Sequence, residues 1–174
     1  MSDHAPSHLD HIPLTAGGKS IDELAAHCFG CGPANPHGLH LHFNLSTAEG
    51  DGDPQHPIAT CHLQLTELYQ GPPGHIHGGI VATLLDEAMS KLNRPLGLLA
   101  MTRHMEVDYL RPAPLHVPLT LIACHLRREG KSGRKLFHTA ELRLPDSTVL
   151  ARASGLFIVI DPRHLPSPTA QPDL

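Results

Sequence analysis

One segment constrains this chain more than any other. Across residues 79–93, Ile80, Val81, Leu84, Leu85, Ala88 and Leu92 recur at helical spacing, with Thr83, Asp86, Glu87 and Ser90 on the other side. The segment opens out of residues 70–79, which hold four Gly and two Pro and cannot be regular structure, and Pro95 and Gly97 end it. The rest of the chain reads mainly as strands. In residues 39–45, Leu39, Leu41, Phe43 and Leu45 alternate with His40, His42 and Asn44, the period of a half-buried strand. Further strands are expected at 58–65, 101–110, 115–127, 135–144 and 149–160, with turn-rich breaks at 111–114, 129–133 and 145–147. Long strands joined by short turns predict an antiparallel meander. A lone helix with a wide apolar face is buried when such a sheet wraps it, which makes an α+β layer arrangement.

A length of 174 residues fits one domain with tails. We expect an N-terminal arm over 1–19, a domain over 20–161 and a Pro-rich tail over 162–174. Ser20 followed by Glu23 forms a capping-box pattern, which predicts a short helix over 21–27. Aromatic residues make up only 3% of the chain, with no Trp, so the core must come from Leu, Ile, Val and Ala. Lys plus Arg total 13 against 17 acids, without the basic excess or stacking aromatics of a nucleic-acid binder. Apolar runs fall short of the roughly 20 residues a membrane span needs. The first 19 residues carry no secretory pattern, which makes the cytoplasm the default.

The densest chemical constellation is Gly71-Pro-Pro-Gly-His-Ile-His77-Gly78-Gly79 with Asp86 two turns further on. Glycines at a helix start let another group approach the backbone closely. The first N–H groups of a helix lack internal partners and suit an anion or a developing oxyanion. Asp86 shares the stripe of Gly79 and lies off the apolar face, placing an acid near such a site. The same residues also fit a Gly-rich helix start with an exposed aspartate, and spacing alone favours that plainer reading.

The segment His77-Gly-Gly-Ile-Val-Ala-Thr-Leu-Leu-Asp86-Glu-Ala-Met resembles the central helix signature of hotdog-fold acyl-CoA thioesterases of the phenylacetate-pathway (PaaI-type) branch. The likeness continues in Met101-Thr102-Arg-His-Met-Glu-Val-Asp-Tyr-Leu-Arg-Pro112, in Arg128-Glu-Gly-Lys-Ser-Gly133-Arg-Lys-Leu-Phe and in Val149-Leu-Ala-Arg-Ala. Upstream, Cys28-Phe-Gly-Cys31-Gly-Pro-Ala-Asn35-Pro-His-Gly38-Leu resembles the N-terminal segment of some of these proteins.

The resemblance implies a helix wrapped by an antiparallel sheet. It implies hydrolysis of acyl-CoA to acid and coenzyme A, with no metal and no cofactor. Asp86 matches the catalytic carboxylate, which activates water or attacks the thioester. Gly78 matches the residue whose backbone N–H polarises the carbonyl, with Gly79 beside it. His77 matches a positioning histidine. Thr102 matches a hydroxyl residue that orients the carboxylate or water from the neighbouring subunit. Relatives often carry Asn or Gln six or seven residues before the histidine, where this chain has Gln70 and Gly71. The family implies a homo-oligomer, a dimer or dimer of dimers, with the site at the subunit interface. A non-catalytic hotdog module that binds acyl-CoA or an acyl chain is the alternative, and the presence of Asp86 favours the enzyme.

Coenzyme A phosphates call for cations, and Arg134 and Lys135 after a Gly turn are the best placed, although solvated surface explains any single one. Cys28-x-x-Cys31 has metal-ligand spacing, but a lone CxxC more often marks a structural loop with buried thiols. A zinc or thiol-redox module is the minor reading. Of the 16 histidines, most are expected on strand or loop surfaces. Glu87, about 100° round the helix from Asp86, reads as structural or ion-pairing.

Overall fold

The computed structural model describes residues 25–46, 56–130 and 132–161, together with the backbone of two short strands, β1 (Thr15–Ala16) and β2 (Lys19–Ser20), which pair with each other. The rest of the expected arm, the tail over 162–174 and the start of the helix expected over 21–27 lie outside these residues. Residues 25–27 form a turn.

The main sheet contains β3 (Asn44–Ser46), β4 (Ile58–Leu63), β5 (Ala100–Tyr109), β6 (Leu119–Glu129), β7 (Lys135–Arg143) and β8 (Val149–Val159). Every pairing is antiparallel, and the order is β3-β4-β6-β7-β8-β5. The helix α1 (Gly78–Lys91) lies between β4 and β5 in the chain. This is the expected α+β arrangement, but not a simple meander. Chain neighbours pair within β3–β4 and within β6–β7–β8, but β5 does not lie beside β4 or β6. The helix carries the chain across the sheet, so β5 starts at the far edge and the chain returns to place β6 beside β4.

Two strand limits also differ from expectation. Leu39 and Leu41 are buried while His40 and His42 are exposed, so the alternation holds. The ladder nevertheless covers only Asn44–Ser46, because the N–H groups of Leu39 and Leu41 donate to Phe29 and Gly30 carbonyls in the cysteine loop. Residues 115–118 are not strand. Pro118 has no N–H to give, His116 sits at φ 60°, and its N–H donates to Leu65.

Val81, Leu84, Leu85, Ala88 and Met89 bury one face of α1 against Leu121, Leu136, Leu142 and Phe157 of the sheet. Full burial of such a side chain stabilises the fold by about 1.5–3 kcal/mol. The opposite face is half-covered rather than free, since β5 and the cysteine loop approach it. Past the helix end, Asn93, His125 and His138 form a buried polar chain. His138 Nε2 lies 3.1 Å from Asn93 Oδ1, and His138 Nδ1 lies 3.1 Å from His125 Nδ1. The Asn93 carbonyl oxygen accepts, so His138 carries its proton on Nε2 and accepts from His125 through Nδ1. Burial, with His125 adding to it, pushes the His138 pKa down to about 3. These two histidines are therefore core residues, exceptions to the surface position expected for most of the 16.

Candidate active site

Asp86 lies two turns into α1 and is half-buried. Thr102 on β5 donates its hydroxyl to Asp86 Oδ1 at 2.7 Å. A bulge between Thr102 and His104, where β5 slips register against β8, re-aims the strand at this point. The contact runs within a single chain, so no neighbouring subunit is needed to supply it. Burial raises the Asp86 pKa above its ordinary value; the Thr102 hydrogen bond pulls it down and the Glu87 charge adds to the rise.

At the helix start, His77 is the N-cap in extended backbone, and its Nδ1 accepts from the Gly79 N–H at 3.0 Å. The Gly79 amide is therefore occupied. Among the described residues the Gly78 N–H has no acceptor, which leaves Gly78 as the amide open to an incoming group. Tyr109, at the end of β5, donates its hydroxyl to the Gly78 carbonyl at 3.0 Å and holds this turn in place. Sequence reading gave Tyr109 no role, though its place at the strand end was visible. A cavity of about 290 Å³, lined by Gly78, Val81, Tyr109 and Leu110, adjoins this amide.

Gln70 does not face the site. Its Oε1 accepts from the Gly74 N–H at 3.2 Å and closes the loop. At Gly71 a Cβ would come within 2.8 Å of His77 Cα, so no side chain fits where relatives carry an amide. Arg134 and Lys135 are exposed, and the Arg134 guanidinium donates to the Val159 carbonyl. Lys135 pairs with Ile158, which pairs with Met101, so both cations sit at the same end of the sheet as Thr102.

Glu87 engages different partners. Its Oε1 pairs with Lys91 Nζ at 2.8 Å, and its Oε2 faces Cys28 Sγ at 3.8 Å. Lys91 also donates to Cys31 Sγ at 2.8 Å. The Cys31 pKa is pushed up to about 12, first by burial and then by Glu87, with Lys91 opposing. Burial works against the Lys91 ammonium, but its bonds to Cys31 and Glu87 outweigh this and hold its pKa above the usual lysine value. The ion-pairing reading of Glu87 agrees with this geometry; the convergence with both thiols had no sequence signal. The group lines a cavity of about 740 Å³ with Leu41, Phe43 and Leu45.

A helix wrapped by an antiparallel sheet, with a capped glycine start and an acid two turns on, defines a hotdog-fold protein. Residues 73–134 match the family described as the thioesterase superfamily. Over 103 residues the chain is 34% identical to the acyl-coenzyme A thioesterase THEM4 of Bos taurus, a match over 59% of this chain and 41% of that protein. Among solved structures, RHA08564, a thioesterase superfamily protein, superposes with a TM-score of 0.63 at 32% identity, covering 73% of this chain and 60% of that one. BH2602 of Bacillus halodurans, solved with CoA, gives a TM-score of 0.51 at 29% identity, covering 58% and 66%. Over this segment the chain is similar to proteins of the thioesterase superfamily. It spans about two fifths of the length of the curated relatives it matches. No helix among the described residues is long and apolar enough to cross a membrane.

Proposed function

We propose that this chain is a cytoplasmic acyl-CoA thioester hydrolase of the PaaI-type branch, with Asp86 as general base and the Gly78 N–H as oxyanion donor. The observation that carries this reading is the half-buried Asp86 carboxylate, oriented by Thr102 at 2.7 Å, on a helix whose first amide is open. Asp86 takes a proton from water, and the oxygen attacks the thioester carbonyl. The carbonyl oxygen gains the charge and is held by Gly78. Collapse breaks the C–S bond, and the leaving coenzyme A thiolate recovers the proton from Asp86. A carboxyl raised by burial is a better base near neutrality than an ordinary one. One oxyanion donor is worth about 2.7–4 kcal/mol. The relatives named as acyl-CoA thioesterases, and the neighbour solved with CoA, support the substrate class.

Gly78 and Asp86 of one chain do not serve the same thioester. Eight residues of helix separate them by about 12 Å, whereas a reacting carbonyl needs both groups within about 3–3.5 Å. A second copy must bring its Gly78 to the first copy's Asp86. The edge strand β5 suits this: it pairs only with β8 among the described residues, and it exposes Met101 and Tyr109. Arg134 and Lys135 then meet the phosphates.

The test is thiol release from short, medium, long and aryl acyl-CoAs by wild type and Asp86→Asn. Turnover should fall by about 10²–10⁴-fold in the variant, with the fold and assembly kept. Absence of turnover by wild type across the panel, with saturable acyl-CoA binding, would replace the hydrolase with a binding module.

A further inference from the structure

We propose that Cys28, Cys31 and Glu87 form a zinc site that clamps the cysteine loop onto the central helix. Three observations converge on this placement. First, Sγ of Cys28, Sγ of Cys31 and a carboxylate oxygen of Glu87 all lie within 4.8 Å of one another. Ligands arranged tetrahedrally around zinc, at about 2.0–2.3 Å from it, are about 3.3–3.8 Å apart, which falls inside that limit. Second, the loop is shaped to present both sulfurs. The Gly32 N–H donates to the Cys28 carbonyl at 2.9 Å and closes the turn. A Cβ at Gly30 would sit 2.6 Å from the Glu87 carboxylate, so the loop presses closely on this side chain and a larger residue would displace it. Third, a cation already sits beside two of the three groups. The Lys91 ammonium lies 2.8 Å from Cys31 Sγ and 2.8 Å from Glu87 Oε1, while Glu87 Oε2 stays turned to the thiols.

Charge and chemistry agree with the geometry. Two thiols, one carboxylate and one ammonium sum to zero. Zinc binding releases one proton from each thiol, and Zn²⁺, two thiolates, the carboxylate and Lys91 again sum to zero. Lys91 then remains as an outer hydrogen-bond donor to a ligating sulfur. Two thiolates and a carboxylate favour zinc over hard cations such as magnesium and calcium. Cys28, Cys31 and Glu87 all line the 740 Å³ cavity, from which water can supply a fourth ligand. No oxidation or reduction is involved. The zinc does not enter hydrolysis at Asp86, and the proposal stands whether or not the chain is a hydrolase.

The test uses the whole chain, reduced with a phosphine under anaerobic conditions and incubated with zinc or cobalt(II) salts. After desalting, we expect about one zinc per chain by elemental analysis, and cobalt-to-thiolate charge-transfer bands with the visible spectrum of a tetrahedral ion. Cys28→Ser and Cys31→Ser should each lower zinc content more than about tenfold and remove the charge-transfer band. Glu87→Gln should lower zinc affinity by at least that factor while keeping the thiolate bands at high cobalt. Circular dichroism confirms that each variant is folded. Wild type that is folded and fully reduced, yet retains no zinc and shows no cobalt–thiolate band, overturns the proposal. So does zinc retained undiminished in a folded Cys28→Ser variant.

Discussion

Replacing Thr102 with Val isolates one hydrogen bond. Val has nearly the same shape, and its β-branch suits a strand, so the bulge at Thr102 should survive. What is lost is the hydroxyl that donates to Asp86 Oδ1 at 2.7 Å. That donor favours the charged carboxylate, so its removal raises the Asp86 pKa, adding to the upward push from burial. A hydrogen bond to a charged group is worth about 1.5–3 kcal/mol, and this one is exposed, so the lower end applies. At 1.36 kcal/mol per pH unit, the acid limb of kcat/KM should move up by about one unit. Activity on the limb then falls about tenfold at fixed pH, while the plateau changes much less. The assay is a full pH profile of kcat/KM, with Thr102→Ser as the control that restores the limb. A plateau lowered by the same factor with the limb unmoved would mean that Thr102 positions water rather than tunes Asp86. A limb displaced to lower pH would refute the reasoning outright.

Gly78→Pro should remove the open N–H without breaking the helix, because proline fits the first helical position and His77 already sits at ψ 136°. Alone, this variant and Asp86→Asn should each be nearly inactive, but random mixed dimers should recover about a quarter of wild-type turnover, since half the dimers then hold one intact site; no recovery would sink the shared site. His138→Leu should cost about 1–3 kcal/mol at neutral pH by orphaning Asn93 and His125. It should also flatten the acid dependence of stability: with the folded pKa near 3, the unfolded chain takes the proton first, so wild type loses stability as pH falls from about 6.5 towards 3. Denaturant midpoints across that range provide the check, and an unchanged slope in the variant would contradict it.

The helix was legible because its apolar stripe is a local signal, and Val81, Leu84, Leu85 and Ala88 are buried as their spacing requires. The hairpins β6–β7 and β7–β8 were legible for the same reason, since their turns lie within a few residues of the paired strands. Strand order was not. Whether β5 lies beside β6 or at the far edge depends on the path of α1 over the sheet, which periodicity does not record. The first strand shows the same limit. Its alternation correctly sorted Leu39 and Leu41 from His40 and His42, yet the ladder is short because two N–H groups are spent on a loop several residues upstream.

The site divides along a similar line. His77 and Gly78 could be placed from sequence because a helix start imposes its own geometry on adjacent residues, but Thr102 could be brought to Asp86 only through resemblance. The two neighbouring acids of α1 show most clearly what the sequence withholds. Asp86 and Glu87 carry the same functional group one residue apart, and composition cannot assign them different work. Their surroundings do. Asp86 meets a hydroxyl from β5, and with burial its carboxyl is raised towards the range of a base. Glu87, turned about 100° away, meets Lys91 and two thiols, of which Cys28 comes from 59 residues earlier in the chain. A carboxylate held by an ammonium serves as an anchor between the helix and the loop. The chemistry at this helix therefore follows from which element covers each side of it, with β5 over Asp86 and the cysteine loop over Glu87.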